Sequence, residues 1–416
     1  MADTFTLLFL LVLTASVTVR IWLSQRHTRH VLAHRHRVPD EFADHIQLEA
    51  HQKAADYTLA KTRFGLIALT VETLLLLALT LGGGLDKLAG LWQGHAQGVW
   101  YGLALIFSVM AISAITDLPL NLWRQFVIEE RFGFNRMNLR LFISDLLKST
   151  LIGLLIGTPV LLAVLWLMEV MGSLWWLYVW LFWCVFNLII LFIYPTWIAP
   201  LFNKFSPLEA GETKRRVEAL LVRCGFRSSG LFVMDGSKRS AHGNAYFTGF
   251  GQNKRIVFFD TLLKRLQPEE IEAVLAHELG HFRRHHVLKR IVMMFVLSLA
   301  FLALLGQLIN APWFFAGLGV SADNQSTAMA LILFFLALPA FTFPLTPVGS
   351  LLSRRHEFEA DRYAAEHASS SDLIHALVKL YEDNAATLTP DPLHSLFYDS
   401  HPPAAIRIAH LQAKAS

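Results

Sequence analysis

Only two cysteines occur in 416 residues, Cys184 and Cys224. Cys184 falls in an apolar run and Cys224 in a more polar segment, so a disulfide is not expected and no thiolate metal site is available. Charge is scarce too. Asp, Glu, Lys and Arg make up 16% of the chain against 54% hydrophobic residues, which excludes an ordinary soluble protein. There is no convincing internal repeat and no long low-complexity tract. The opening Met1-Ala2-Asp3-Thr4 lacks the positive charge of a signal-peptide n-region. Basic residues follow the first apolar run instead, so that run is expected to remain an uncleaved span with its N-terminus outside.

Seven apolar stretches approach or reach the length a bilayer requires: 5–23, 64–81, 99–115, 151–171, 174–194, 291–309 and 329–348. The last is interrupted by Pro339, Pro344 and Pro347. Arg26, Arg29, Arg35, Arg37, Lys53, Lys61 and Arg63 lie between the first two runs, and Arg124, Arg131, Arg136, Arg140 and Lys148 between the third and fourth. Basic residues also crowd the segment after the fifth, and Arg354 and Arg355 follow the seventh. The opposite loops are poor: Lys87 stands alone after the second run, and 310–326 holds no Lys or Arg. The positive-inside rule then puts the C-terminus and the segment between runs five and six in the cytoplasm. Topology explains the excess positive charge, and nucleic acid need not be invoked.

Four regions follow: spans one to five (1–198), an insert (199–290), spans six and seven (291–350) and a tail (351–416). In the insert, 209–224 has helical periodicity and ends at Gly225. Residues 230–234 and 255–259 read as strands, being short runs of Val, Ile and Phe bounded by turn residues. Residues 244–250, with Gly249 and Gly251 flanking the end, are either a further strand or a plain loop. As a strand they would offer a free edge to an extended peptide.

The chemistry is concentrated in His277-Glu278-Leu279-Gly280-His281. On a helix, positions i and i+4 share a face, so both imidazoles reach one Zn²⁺ while Glu278 stands free as a base. Pro268, Glu269 and Glu270 suit a helix start, and Ile271, Val274 and Leu275 supply its apolar stripe. A zinc protease needs a third protein ligand, and Glu357-Phe358-Glu359-Ala360-Asp361 is the candidate segment. Glu357 and Asp361 share a face; with Glu357 on the metal, Asp361 is placed to fix a ligand histidine's tautomer. His285 continues the i, i+4 series but lies roughly 12 Å along the axis from His277, too far for the same ion. His27, His30, His34 and His36 offer a second metal site or, more simply, a solvated basic face.

With these features the chain resembles the type I CAAX prenyl endopeptidases, integral-membrane zinc metalloproteases of the gluzincin kind. The resemblance covers nearly the whole chain. Besides the seven spans and HELGH it rests on FVIEE at 126–130, GFN at 133–135, NAY at 244–246, NKRIV at 253–257 and FDTLL at 259–263. It includes EFEAD at 357–361 and SHPP at 400–403 with Arg407. It implies a mainly α, polytopic fold whose helices enclose a chamber, with a cytoplasmic α+β protease domain. It implies one zinc per chain on His277, His281 and Glu357, Glu278 as base, and Asn244 and Ala245 on a substrate-binding edge strand. His401 and Arg407 would lie near the scissile peptide, and a chamber would rationalise Glu72 and Glu169 within apolar runs. The implied reaction releases the last three residues of a prenylated, cysteine-containing protein or peptide, in a bacterial inner membrane or a membrane of the endoplasmic reticulum type. Competing readings are a membrane quality-control protease with the same chemistry, a transporter, and a zinc scaffold without catalysis.

Overall fold

The computed structural model describes residues 1–248 and 255–415. Gly249, Phe250, Gly251, Asn253 and Lys254, singled out above, lie outside the described residues. In chain order the helices are α1 (Ala2–His34), α2 (Leu48–Leu79), α3 (Gly84–Trp92), α4 (Gly98–Trp123), α5 (Leu139–Val170) and α6 (Trp175–Ile193). Then follow α7 (Glu212–Arg223), α8 (Asp260–Arg265), α9 (Pro268–Arg283), α10 (His286–Leu308) and α11 (Pro312–Gly317). The chain closes with α12 (Thr327–Thr342), α13 (Thr346–His367), α14 (Ser370–Asp383), α15 (Pro392–Tyr398) and α16 (Ala404–Ala415).

Among the described residues, seven helical stretches are long and apolar enough to cross a membrane, one at each expected run. They extend beyond those runs. No Pro or Gly interrupts residues 2–34, and α1 accordingly continues eleven residues past the apolar stretch. The seventh stretch is one helical column: α12 ends at Thr342, a 3₁₀ turn containing Pro344 spans Phe343–Leu345, and α13 carries on to His367. The prolines thus interrupt the α-helical pattern without ending the column, which delivers Glu357 directly from a membrane helix.

The insert folds as a four-stranded sheet over helices. Its strands are β1 (Phe205–Pro207), β2 (Gly230–Met234), β3 (Ala245–Thr248) and β4 (Arg255–Phe259), in the order β1-β2-β4-β3. β2 and β4 run parallel, whereas β1 and β3 pair antiparallel with them. Residues 244–250 therefore contribute a strand, β3, and it lies at the sheet edge. One buried core joins Ile256 and Phe258 to Val217 and Leu220 of α7, Leu275 and Leu279 of α9, and Tyr363 of α13. A separate core unites α1, α4, α5, α10 and α12 in the membrane half.

Two backbone features place the site. A Cβ at Gly280 would meet Ala360 Cα at 2.9 Å and Tyr363 Cβ at 3.0 Å, so only glycine lets α9 and α13 cross this closely. His285 adopts a left-handed conformation with φ 57° and breaks α9 from α10. The helical series from His277 through His281 stops there.

Candidate metal centre

Helix α9 starts at Pro268, where Glu270 accepts the Gln267 N–H at 2.7 Å and satisfies one of the free donors of the first turn. Two turns later His277 and His281 project from one face. Their Nε2 atoms face each other at 3.2 Å. Across the close crossing, the Glu357 carboxylate lies 3.4 Å from each ring, Oε2 toward His277 and Oε1 toward His281. One ligand atom from each residue falls within 4.8 Å of the others. Glu357 Oε2 is buried and accepts no hydrogen bond. Two imidazole nitrogens and an unsatisfied carboxylate oxygen converging on one point are a donor set for a cation, and His₂Glu suits a catalytic metal with an open position. The residues fit the ion.

What stands behind the ligands fixes them. His277 Nδ1 lies 2.8 Å from Asp361 Oδ1, so the ring donates there and leaves Nε2 free. Burial alone would lower the His277 pKa; the nearby carboxylates of Asp361 and Glu357 outweigh it and lift the value to about 9. Surroundings that favour positive charge on this ring also favour a metal beside it. His281 Nδ1 lies 3.0 Å from His286 Nδ1, and His286 Nε2 lies 3.0 Å from Glu359 Oε2. With His281 Nε2 on the metal, protons run outward from His281 to His286 and from His286 to the Glu359 carboxylate. Neither His286 nor a role for Glu359 was foreseen. The signal was the His-His pair at 285–286, which only a break in the helix could turn toward His281.

Glu278 lies beside the ligands on α9, half-buried, with no hydrogen bond among the described residues. Burial raises its carboxyl pKa, a shift toward the range useful for a base at neutral pH. His401 brings Nε2 to 3.5 Å from Glu357 Oε1. Its side chain is 60% exposed and lines a cavity, and burial of the ring by the surrounding protein lowers its pKa. Arg407, expected near the scissile peptide, stands against the carboxylates behind the His277 ring. It is buried, donates Nε–H to Asp361 Oδ2 at 2.9 Å and a second N–H to the other carboxylate oxygen, and brings Nη1 to 3.6 Å from Glu357 Oε2. Asn244 accepts the Ala245 N–H on its own side chain at the start of β3.

The cavity that receives His401 has a volume of about 730 Å³ and runs between α1, α2 and the tail. Lys61, Gly65, Leu69 and Glu72 line it from one face of α2. Glu72 is thus a chamber residue, whereas Glu169 sits exposed in the last turn of α5, outside this lining. Of the four histidines after the first apolar run, His34 and His36 are exposed, as a solvated face requires, but His27 is not part of it. His27 is buried, stacks on His394 at 3.9 Å and accepts the Asp391 N–H, so the tail packs onto α1. Among the described residues, His277, His281 and Glu357 form the sole cluster able to hold a metal.

Comparison with known proteins agrees with this arrangement. Residues 27–204 match the CAAX prenyl protease N-terminal region of five membrane helices, and residues 207–415 match peptidase family M48. A CAAX prenyl protease 1 homolog of Arabidopsis thaliana is 36% identical over 382 residues, covering 89% of each chain. The Homo sapiens homolog is 35% identical over 454 residues, covering 96% of this chain and 94% of its own. The crystal structure of S. mikatae Ste24p superposes with a TM-score of 0.91 at 31% identity, over 98% of this chain and 99% of that one. The chain belongs to peptidase family M48, among the CAAX prenyl proteases. It is a multi-pass membrane metallopeptidase acting on peptide or protein substrates.

Proposed function

We propose that this chain is a zinc endopeptidase that removes the C-terminal tripeptide from prenylated CAAX-type proteins. His277, His281 and Glu357 hold one zinc, and Glu278 serves as the base. The reading rests on one observation above others: the His₂Glu cluster stands beside a cavity that takes in His401 and continues along α2 to Lys61 and Glu72. The names of the relatives supply the substrate class. The basic loops support a cytoplasmic catalytic region with the start of α1 outside, and they leave no call for a nucleic-acid partner.

Bound zinc supplies a Lewis acid that polarises the scissile carbonyl and makes water easier to deprotonate. The chain's own residues do the rest. An extended substrate pairs with the free edge of β3 at Asn244 and Ala245, which sets the scissile peptide against α9. Glu278 takes the proton of the attacking water and passes it to the leaving amine nitrogen. His401, exposed to the cavity, donates to the oxygen that gains charge as the carbonyl is attacked. Arg407 has two donors committed to Asp361, so it acts as a positioning residue, holding the carboxylate that orients His277. Asp361 and the His286–Glu359 pair keep both ligand rings in the tautomer that presents Nε2.

Incubating the purified, zinc-loaded protein with prenylated and unprenylated forms of one CAAX peptide tests this reading by mass spectrometry. Release of an intact tripeptide from the prenylated form is expected, with the unprenylated form cleaved more slowly. Equal cleavage of both at scattered bonds would instead favour a quality-control protease.

A further inference from the structure

Lys61 is a cation in the cavity wall with no ion-pair partner among the described residues. Its ammonium lies 4.0 Å from the centre of the Tyr57 ring, one helical turn earlier on α2. Glu129 and Asp399 act on it from longer range, but no carboxylate among the described residues pairs with it. An ammonium facing a cavity in this way is a ready partner for a carboxylate that arrives from elsewhere.

The position is tied to the substrate edge. The Tyr57 hydroxyl donates to Glu129 Oε1 at 2.7 Å. Glu129 Oε2 lies 3.7 Å from His242 Nε2, and His242 stands two residues before Asn244. His242 is itself fixed, with Nδ1 2.9 Å from Asn384 Oδ1 and its ring stacked on Phe134. A short chain of contacts therefore links the start of β3 to the turn of α2 that carries Lys61. A peptide adding antiparallel to β3, the somewhat more stable pairing, runs its C-terminal end past the start of that strand. Three extended residues beyond the cleaved bond reach about 10 Å. Arg20, the other cation of the cavity, lies over the Phe343 ring and has no such link to the edge strand.

We propose that Lys61 binds the terminal carboxylate of the substrate and so registers the scissile bond three residues from the chain end. This rests on the tripeptide-releasing function proposed above and adds the group that measures the length. Glu129 and Asp399 reach the ammonium only at longer range, and the incoming carboxylate provides the close partner.

The test uses the full-length, zinc-loaded protein and two prenylated CAAX peptides that differ only at the end, one a free carboxylate and one a carboxamide. The parent protein is expected to favour the acid by about tenfold in kcat/KM, mostly through KM, as one charge-assisted hydrogen bond supplies. Lys61→Gln should bring the ratio close to one while keeping parental zinc content, and Lys61→Arg should restore most of the preference. Parental cleavage of acid and amide at equal rates overturns the proposal, as does an unchanged ratio in Lys61→Gln. Loss of preference in Arg20→Gln but not in Lys61→Gln also overturns it. Failure of the parent to cut either peptide three residues from its end sinks the proposed function itself, and this proposal with it.

Discussion

At the metal centre the second ring nitrogen of each ligand histidine has a partner: His277 faces Asp361, and His281 faces His286 with Glu359 behind it. Along the neighbouring cavity, among the described residues, Lys61 has no close carboxylate, and Arg20 Nε and His394 Nδ1 make no hydrogen bond. The unsatisfied atom at the centre, Glu357 Oε2, is the one that points where the cation belongs. Saturation on one side and open valence on the other reflect two tasks. A ligand set must hold one geometry, so its supporting bonds are made within the protein. A chamber that receives a travelling chain can leave a charge such as Lys61 for that chain.

Substitutions should separate these two regions. The largest effect belongs to the ligands: His277→Ala, His281→Ala or Glu357→Ala is expected to lose bound metal and peptide hydrolysis together, read by metal analysis and a cleavage assay. Full metal retention in Glu357→Ala would transfer the third ligand role, with Asp361 the first residue to examine. Next comes His401→Ala, which should keep its metal and fall by on the order of a hundredfold in turnover, as loss of one oxyanion donor does. A parental rate would make the His-Pro-Pro segment a helix start and nothing more. Glu359→Gln should weaken metal affinity about tenfold, because His286 then loses the anion that orients it. Competition with a chelator measures that shift; no change would detach the outer pair from the site. Smallest of all, Glu72→Gln on the far side of the cavity should leave zinc content untouched and turnover within about twofold, the usual scale for an isolated surface-like charge.

The same contrast shows what could be read before the fold was known. Two histidines at i and i+4 fix their own geometry once a helix is granted, and the carboxylates at 357 and 361 repeat the argument, so this cluster was legible. His286 was not, because a left-handed residue at 285 reverses the direction that helical spacing predicts. Glu359 does turn away from Glu357, as its spacing requires, but the chain returns His286 to meet it. Arg407 lies six residues beyond His401, and no periodicity discloses that it is buried behind the ligands instead of facing the cavity. β1 is three residues long and ends in proline, too short for any alternation to register. Membrane packing was equally hidden. The most apolar windows of α2 and of the α12–α13 column have mean hydropathy 1.7 and 2.2, yet 6% of one and 56% of the other is buried within the protein. Apolar composition satisfies a lipid face and a packed core alike, and the chamber forms where α2 is left unpacked.

The central claim is that one helix divides its labour, with His277 and His281 holding the metal and Glu278 moving the proton. Glu278→Ala, purified and compared with the parent for metal per chain and for hydrolysis of a CAAX peptide, tests it directly. The account predicts about one zinc per chain in both proteins, with turnover in the variant lower by at least about a hundredfold. Loss of the metal along with the activity, or hydrolysis at the parental rate, would contradict it.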